Sequence, residues 1–347
     1  MIEMSSNKII AFDSLRVIAA FAVVVLHTAA PLFLNSYSSS DWAVANMYES
    51  LVRWNVPVFF MISGALFLNK GKEVNIGRLY GKNIFRILFA YFFWSIIYVV
   101  PLLNDGLSLN SILSRILDGP YHFWFLKILI GLYIAVPLFR AITSERKTEE
   151  YFLLVAMLMG IVLPSVLSVL KLCDTRLMMV LKGFCNSFDI TFVSTYSFYF
   201  VLGHYLLEYP FTATRRHILY IIGMLSPILL FGATYYGSLL QRSPYQGFLE
   251  NSFVPTMFLA VTIYVFFVNC NFGMPRAEKI LSKISKCTLG VYIIHVLVMN
   301  LLWKLDITPS TCSSIWFVPF YALIVFVISL LVTFVLRRIP FVNRWLV

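Results

Sequence analysis

Charge is scarce in this chain: Asp, Glu, Lys and Arg together make up 12% of its 347 residues. An ordinary soluble domain carries about twice that share, so there is too little polar surface here to coat a water-soluble globule. Cysteine is sparse as well, five in all, which excludes a disulfide-stapled secreted scaffold. The sequence contains no Gly-x-Ser-x-Gly elbow, phosphate-binding loop or dinucleotide fingerprint, and no Cys or His at metal-ligand spacing. It also has no repeat, low-complexity stretch or linker, so residues 1–347 read as one membrane domain. What fills the chain is apolar: 60% hydrophobic and 17% aromatic residues, with a mean hydropathy of +0.84. The runs are long, which excludes disorder and implies an all-α polytopic membrane protein.

A spanning helix needs about 20 apolar residues. On that measure the sequence predicts about ten spans, near residues 10–30, 47–69, 84–104, 120–140, 150–171, 188–208, 217–237, 251–270, 286–304 and 316–336. The net charge of +11 invites a nucleic-acid reading until the basic residues are placed. With a cytoplasmic N-terminus, 18 of the 27 fall in inner segments and six (Arg115, Lys171, Arg176, Lys182, Arg242 and Lys304) in outer ones. That split satisfies the positive-inside rule with both termini cytoplasmic, so the basic balance sets topology and no nucleic-acid partner is implied. The first span is too long for a signal peptide and is interrupted by Arg16 and His27, so it reads as a permanent helix. Cys173, Cys185 and Cys312 fall outside, Cys270 and Cys287 near the inside; free buried thiols fit this distribution better than a Cys173–Cys185 disulfide.

Three basic residues, Arg16, Arg53 and Lys127, lie in or at the edge of spans, where an ionisable side chain is costly and points to function. In the first span Arg16 and His27 are eleven positions apart, which leaves about 20° of rotation between them and about 16 Å along the axis. They share one face, and Asp13, three residues before Arg16, can pair with the guanidinium. Such a stripe suits acyl transfer between compartments. An imidazole can take the proton of an attacking hydroxyl, and a guanidinium can hold phosphate or carboxylate groups.

The Arg, ten residues, His arrangement resembles the hallmark of the bacterial integral-membrane acyltransferase family 3, whose members O-acetylate cell-envelope polysaccharides. Three further stretches match in order: VRWNVPVFFMISGALFL at 52–68, YHFWFLKILIGLYIAVPLF at 121–139 and SKCTLGVYIIHVLV at 285–298. The resemblance implies an O-acyltransferase of the bacterial inner membrane that takes acetyl from cytoplasmic acetyl-CoA, a co-substrate with no permanently bound cofactor and no metal. It implies a glycan or lipid-linked oligosaccharide as acceptor. His27 would be the catalytic base, Arg16 would hold the acyl-CoA, and Arg53, placed by the span count at the outer start of the second span, would stabilise negative charge.

Further candidates lie in the other spans and in the inner loops. Ser63, beside Gly64, stands where small residues allow close packing or a cavity. Lys127 should face a cavity or a carboxylate such as Asp189 or Glu208. His122 lies about 140° round the helix from Lys127 and reads as orienting or structural. His295 is a secondary site candidate, and His204 pairs with Glu208 four residues on. The basic segment 70–86, with Lys70, Lys72, Arg78, Lys82 and Arg86, is the candidate for the CoA phosphates. A transporter or flippase for a lipid-linked sugar or small anion is the alternative, since it too needs charged groups in a membrane path.

Overall fold

The computed structural model describes residues 6–34, 37–71, 75–105, 108–190, 192–270, 275–307 and 313–347. These form helices and turns, with no strand among the described residues. That is what an apolar solvent dictates, because only a helix satisfies its own backbone without a closed barrel.

The axis of the structure is α1 (Ser6–Phe33), an unbroken helix. The chain continues through α2 (Ser40–Val52) and α3 (Asn55–Phe67). A short α4 (Ile76–Arg78) then passes through a π-helical segment into α5 (Phe85–Val99). After α6 (Leu109–Asp118) a 3-10 turn at Tyr121–Phe123 opens α7 (Trp124–Ile134) and α8 (Val136–Ile142). Next come α9 (Arg146–Met157), α10 (Leu163–Cys173), α11 (Thr175–Asn186) and α12 (Thr195–Glu208). The C-terminal half holds α13 (Ala213–Gln241), α14 (Val254–Asn269), α15 (Pro275–Ser285), α16 (Thr288–Lys304), α17 (Ser314–Leu336) and α18 (Pro340–Trp345). Around α1 pack α2, α3, α14, α15, α16 and α17, so the Arg16 and His27 face lies within the bundle.

Among the described residues seven helical stretches are long and apolar enough to cross a membrane, or nine if each of two bent pairs counts as one span. The chain is therefore a multi-pass helical membrane protein, and among the described residues nine of the ten expected spans have a counterpart if each bent pair is counted. The difference lies at 188–208, where α12 has only 14 residues. That is about 21 Å of helix, against about 30 Å of hydrocarbon. Its Tyr199, Phe200 and Val201 are fully buried, and it packs on α3 at a crossing of two glycines. A Cβ at Gly64 would collide with the backbone of Phe200, and one at Gly203 with the backbone of Met61. The small residue beside Ser63 thus serves helix packing.

The second span also differs from expectation. It runs over Ser40–Phe67 with a break at Arg53 and Trp54, which puts Arg53 in the middle of the span instead of at its outer start. The bent pairs are Tyr121–Ile134 with Val136–Ile142, at 59°, and Glu278–Ser285 with Thr288–Lys304, at 60°.

Candidate functional site

Because α1 is continuous, the eleven-position spacing holds and Arg16 and His27 share its inward face. Arg16 Nη1 lies 3.5 Å from Asp13 Oδ1, the pairing the sequence predicts. Ser285 Oγ donates to the same oxygen at 2.7 Å. Asp13 thus fastens the end of α15 to α1 while it orients Arg16, and both of those contacts are to protein groups. The Arg16 side chain, 31% exposed, lines a cavity of about 170 Å³ with Ser63, Leu129, Tyr133, Leu289 and Tyr292. Ser63 donates to the Phe59 carbonyl at 2.9 Å, and its hydroxyl also meets Tyr133.

A second cavity, about 260 Å³, shares Leu129, Tyr133 and Leu289 with the first and adds Lys82, Asn83 and Arg86. The two share a wall, and their linings together trace a path from Lys82 and Arg86 past Arg16 to Tyr292, on the helix turn before His295. Within the basic segment 70–86 it is therefore Lys82 and Arg86 that reach this path. Lys70 instead donates to the Ser144 carbonyl at 3.3 Å, and Lys72 lies outside the described residues.

Next to Tyr292 three imidazoles meet. His27 and His295 have ring centroids 4.9 Å apart, His122 and His295 5.2 Å, and His27 and His122 6.2 Å. His295 Nε2 lies 3.1 Å from His27 Nδ1. His122 and His295 are buried, and neither ring nitrogen of His122 has a hydrogen-bond partner. Tyrosines build the frame. Tyr292 donates to the His122 carbonyl, Tyr98 on α5 donates to the Ile293 carbonyl at 2.8 Å, and Tyr121 meets the His27 ring edge-on at 5.6 Å. The helical-wheel angle for His122 does not apply, because that residue sits on the 3-10 turn before α7. The structure moves His122 and His295 from outlying candidates to direct neighbours of His27.

A third cavity of about 280 Å³ adjoins the cluster through Tyr98 and Tyr121, whose rings meet His122 and His27, and is also lined by Ser95, Arg115, Asp118 and Asn300. Ser95 Oγ is fully buried and has no partner. The wall turns at Gly119, whose φ of +66° suits glycine, and a Cβ there would strike the Tyr91 and Ser95 side chains. None of these lining residues stood out in the sequence. Ordinary polar side chains scattered over α5, α6 and α16 share no spacing in the sequence.

Two charged candidates need correction. Lys127 is exposed and donates to the backbone carbonyl of Asp118 at 3.2 Å. It braces the loop of the third cavity and meets neither Asp189 nor Glu208. Arg53, mid-span, forms an ion pair with Glu49, four residues earlier on α2, and Glu49 is buried. The guanidinium is near enough to His27 to act on it electrostatically. Glu49 escaped the sequence reading because a span starting near 47 puts it at the interface, although its spacing from Arg53 was legible. His204 Nδ1 meets Glu149 Oε1 at 2.7 Å, so its partner is on α9 instead of Glu208. Cys173 and Cys185 are free thiols, and Cys312 lies outside the described residues. No group of three or more His, Cys, Asp or Glu that could hold a metal occurs among the described residues.

Residues 9–338 match the model of acyltransferase family 3, described as an acyltransferase domain. No curated protein and no solved structure matches the chain.

Proposed function

The chain belongs to acyltransferase family 3, and from that premise we propose that it carries an acetyl group from cytoplasmic acetyl-CoA to a glycan hydroxyl on the outer side of the bacterial inner membrane. One observation carries the reading: the imidazole cluster lies against the linings of two cavities, Val23 and Tyr292 of one and Tyr98 and Tyr121 of the other meeting its rings. The first has a basic mouth at Lys82 and Arg86, suited to CoA phosphates, and an apolar bore suited to a pantetheine arm. The second pairs tyrosine faces with Arg115, Asp118, Ser95 and Asn300, the mixture of flat apolar and hydrogen-bonding surface that a sugar needs. The charge bias that orients the first mouth to the cytoplasm supports the direction of transfer.

In this mechanism Arg16 holds the donor partway along the bore, so the thioester carbonyl lies beside His27. His27 takes the proton of the acceptor hydroxyl as the sugar oxygen attacks the carbonyl carbon. The C–S bond breaks, and the CoA sulfur leaves with a proton. Negative charge on the carbonyl oxygen in transit is stabilised by Arg53, near enough to His27 to act there. Among envelope glycans the enterobacterial common antigen is the first acceptor to assay; lipid-linked oligosaccharides come next.

The test uses purified full-length protein in nanodiscs, acetyl-CoA labelled in the acetyl group, and extracted envelope glycan. Wild type should move label to the glycan and release free CoA thiol. His27→Ala, shown folded by size exclusion, should lose transfer by about 10²- to 10⁴-fold. Retained transfer in that variant would remove His27 from the chemistry. Passage of a lipid-linked sugar or a small anion through wild type with the thioester left intact would replace the enzyme with a transporter.

A further inference from the structure

His295 has a proton inventory that bears directly on His27. Its Nδ1 lies 2.7 Å from the Tyr292 carbonyl and 3.2 Å from the Val291 carbonyl. A carbonyl oxygen only accepts, so Nδ1 of His295 carries the hydrogen, and in the neutral ring Nε2 is a bare lone pair. That lone pair lies 3.1 Å from His27 Nδ1, which is itself 3.0 Å from the Val23 carbonyl. Nδ1 of His27 therefore faces two acceptors and no donor. The neutral ring keeps its hydrogen there, and the lone pair moves to Nε2, on the opposite side of the ring.

We infer that His295 is a positioning residue for acyl transfer: by accepting the Nδ1 hydrogen of His27 it fixes the tautomer in which His27 Nε2 is the basic atom. This rests on the acyltransferase reading above for its consequence, though its geometry is independent of it. The Val23 carbonyl, one helical turn before His27, accepts at the same nitrogen with its second lone pair, so the two acceptors hold the tautomer together and loss of His295 weakens the preference without reversing it.

The step balances. The acceptor O–H bond breaks and its proton goes to His27 Nε2 while the sugar oxygen bonds to the thioester carbon. The C–S bond then breaks, and the sulfur takes the proton back from Nε2. The Nδ1 hydrogen stays throughout in the bridge to His295, which strengthens while His27 is charged because a hydrogen bond from a cation is the stronger kind. His295 is thus worth most in the transition state, and its loss should appear in kcat and leave the KM for acetyl-CoA alone.

The fully buried site and the spacing to His27 allow a graded test. His295→Leu removes the acceptor, while His295→Gln keeps one in its amide oxygen. The readout is nitrogen NMR of protein labelled with ¹⁵N-histidine in nanodiscs, with the His27 signal assigned by its absence in His27→Ala. Wild type should show His27 protonated at Nδ1 and bare at Nε2. In His295→Leu the Nδ1 form should give way to a mixture and kcat should fall by about 10- to 100-fold. The KM for acetyl-CoA should stay within about twofold, and His295→Gln should recover most of both. A wild-type His27 protonated at Nε2 would overturn the proposal, as would a His295→Leu protein with unchanged tautomer and kcat. If wild type consumes no acetyl-CoA while the tautomer responds as stated, the acyltransferase reading fails and the positioning geometry stands.

Discussion

The Glu49 and Arg53 pair offers the sharpest test of how this site is built. Glu49 is 2% exposed and fully enclosed by α2 and its neighbours, and the Arg53 side chain is 21% exposed. Replacing Glu49 by Ala takes away the carboxylate and leaves a guanidinium at mid-span, its Nε already without a hydrogen-bond partner. Breaking one side of a buried pair costs about 3–5 kcal/mol because the surviving charge keeps its desolvation penalty. Replacing both partners by apolar residues of similar volume is near neutral by the same reasoning. Glu49→Ala should therefore unfold well below wild type in a detergent thermal-stability assay, whereas Glu49→Met with Arg53→Met should return close to the wild-type temperature. The double variant should still lack transfer, since it has lost the guanidinium whose charge acts on His27, and that separates the structural task of the pair from the chemical one. Equal unfolding temperatures for Glu49→Ala and wild type would refute the argument, because Arg53 would then be hydrated or paired elsewhere. A double variant as unstable as Glu49→Ala would refute it too.

At the basic mouth, Lys82→Ala should raise the KM for acetyl-CoA by about three- to tenfold, the effect of about 1 kcal/mol from an exposed charge, with kcat held and the difference shrinking as salt rises. Gly119→Ala sets an alanine at φ +66° against Tyr91 and Ser95. It should cost about 1 kcal/mol or more and depress glycan acetylation more than acetyl-CoA binding, measured by initial rates against equilibrium binding. Gly203→Val pushes side-chain atoms into the Met61 backbone. It should lower the unfolding temperature and the yield of monodisperse protein, by an overpacking cost of about 1–3 kcal/mol at least.

What the sequence made legible was local. Arg16 and His27 lie on one helix, so the helical repeat alone fixes their common face, and α1 carries it unbroken. Asp13 reaching Arg16 follows from the same repeat. The convergence of His122 and His295 on His27 was not legible, because three separate elements bring them together and no spacing within a strand of sequence encodes that packing. Hydropathy misjudged 188–208 for a definite reason. An apolar window reports burial in lipid and burial in protein alike, and α12 is buried in protein. Its start at Thr195, fixed by the reciprocal Ser194 and Ser197 cap, cuts the helix short where the apolar count continues. Lys127 was expected to face a cavity or a carboxylate, but a backbone carbonyl receives its ammonium.

The irregular points of the helices explain why straight spans hide such a site. Non-helical backbone at membrane depth is tolerated only where protein or a cavity satisfies it. Here the breaks lie along the cavities that the proposed function assigns to donor and acceptor. The interruption at Arg53 and Trp54 lies between α2 and α3. The 59° bend at Ala135 follows Tyr133, and the 60° bend before Thr288 precedes Leu289, both residues that the two donor-side cavities share. His122 belongs to a 3-10 turn at the cluster itself. The bends open room between helices that would otherwise close on one another, and each leaves peptide groups without helical partners. If the bore owes its width to these bends, straightening one should close it without touching a charged group. Ala135 is half-buried, and Pro137 is in the first turn of α8, so Pro137→Ala removes a residue that cannot continue the α7 ladder. The variant should fold at least as stably as wild type yet use acetyl-CoA with a KM raised several-fold or more, read from initial rates. A fully active Pro137→Ala protein would show that the bend does not set the width of the bore.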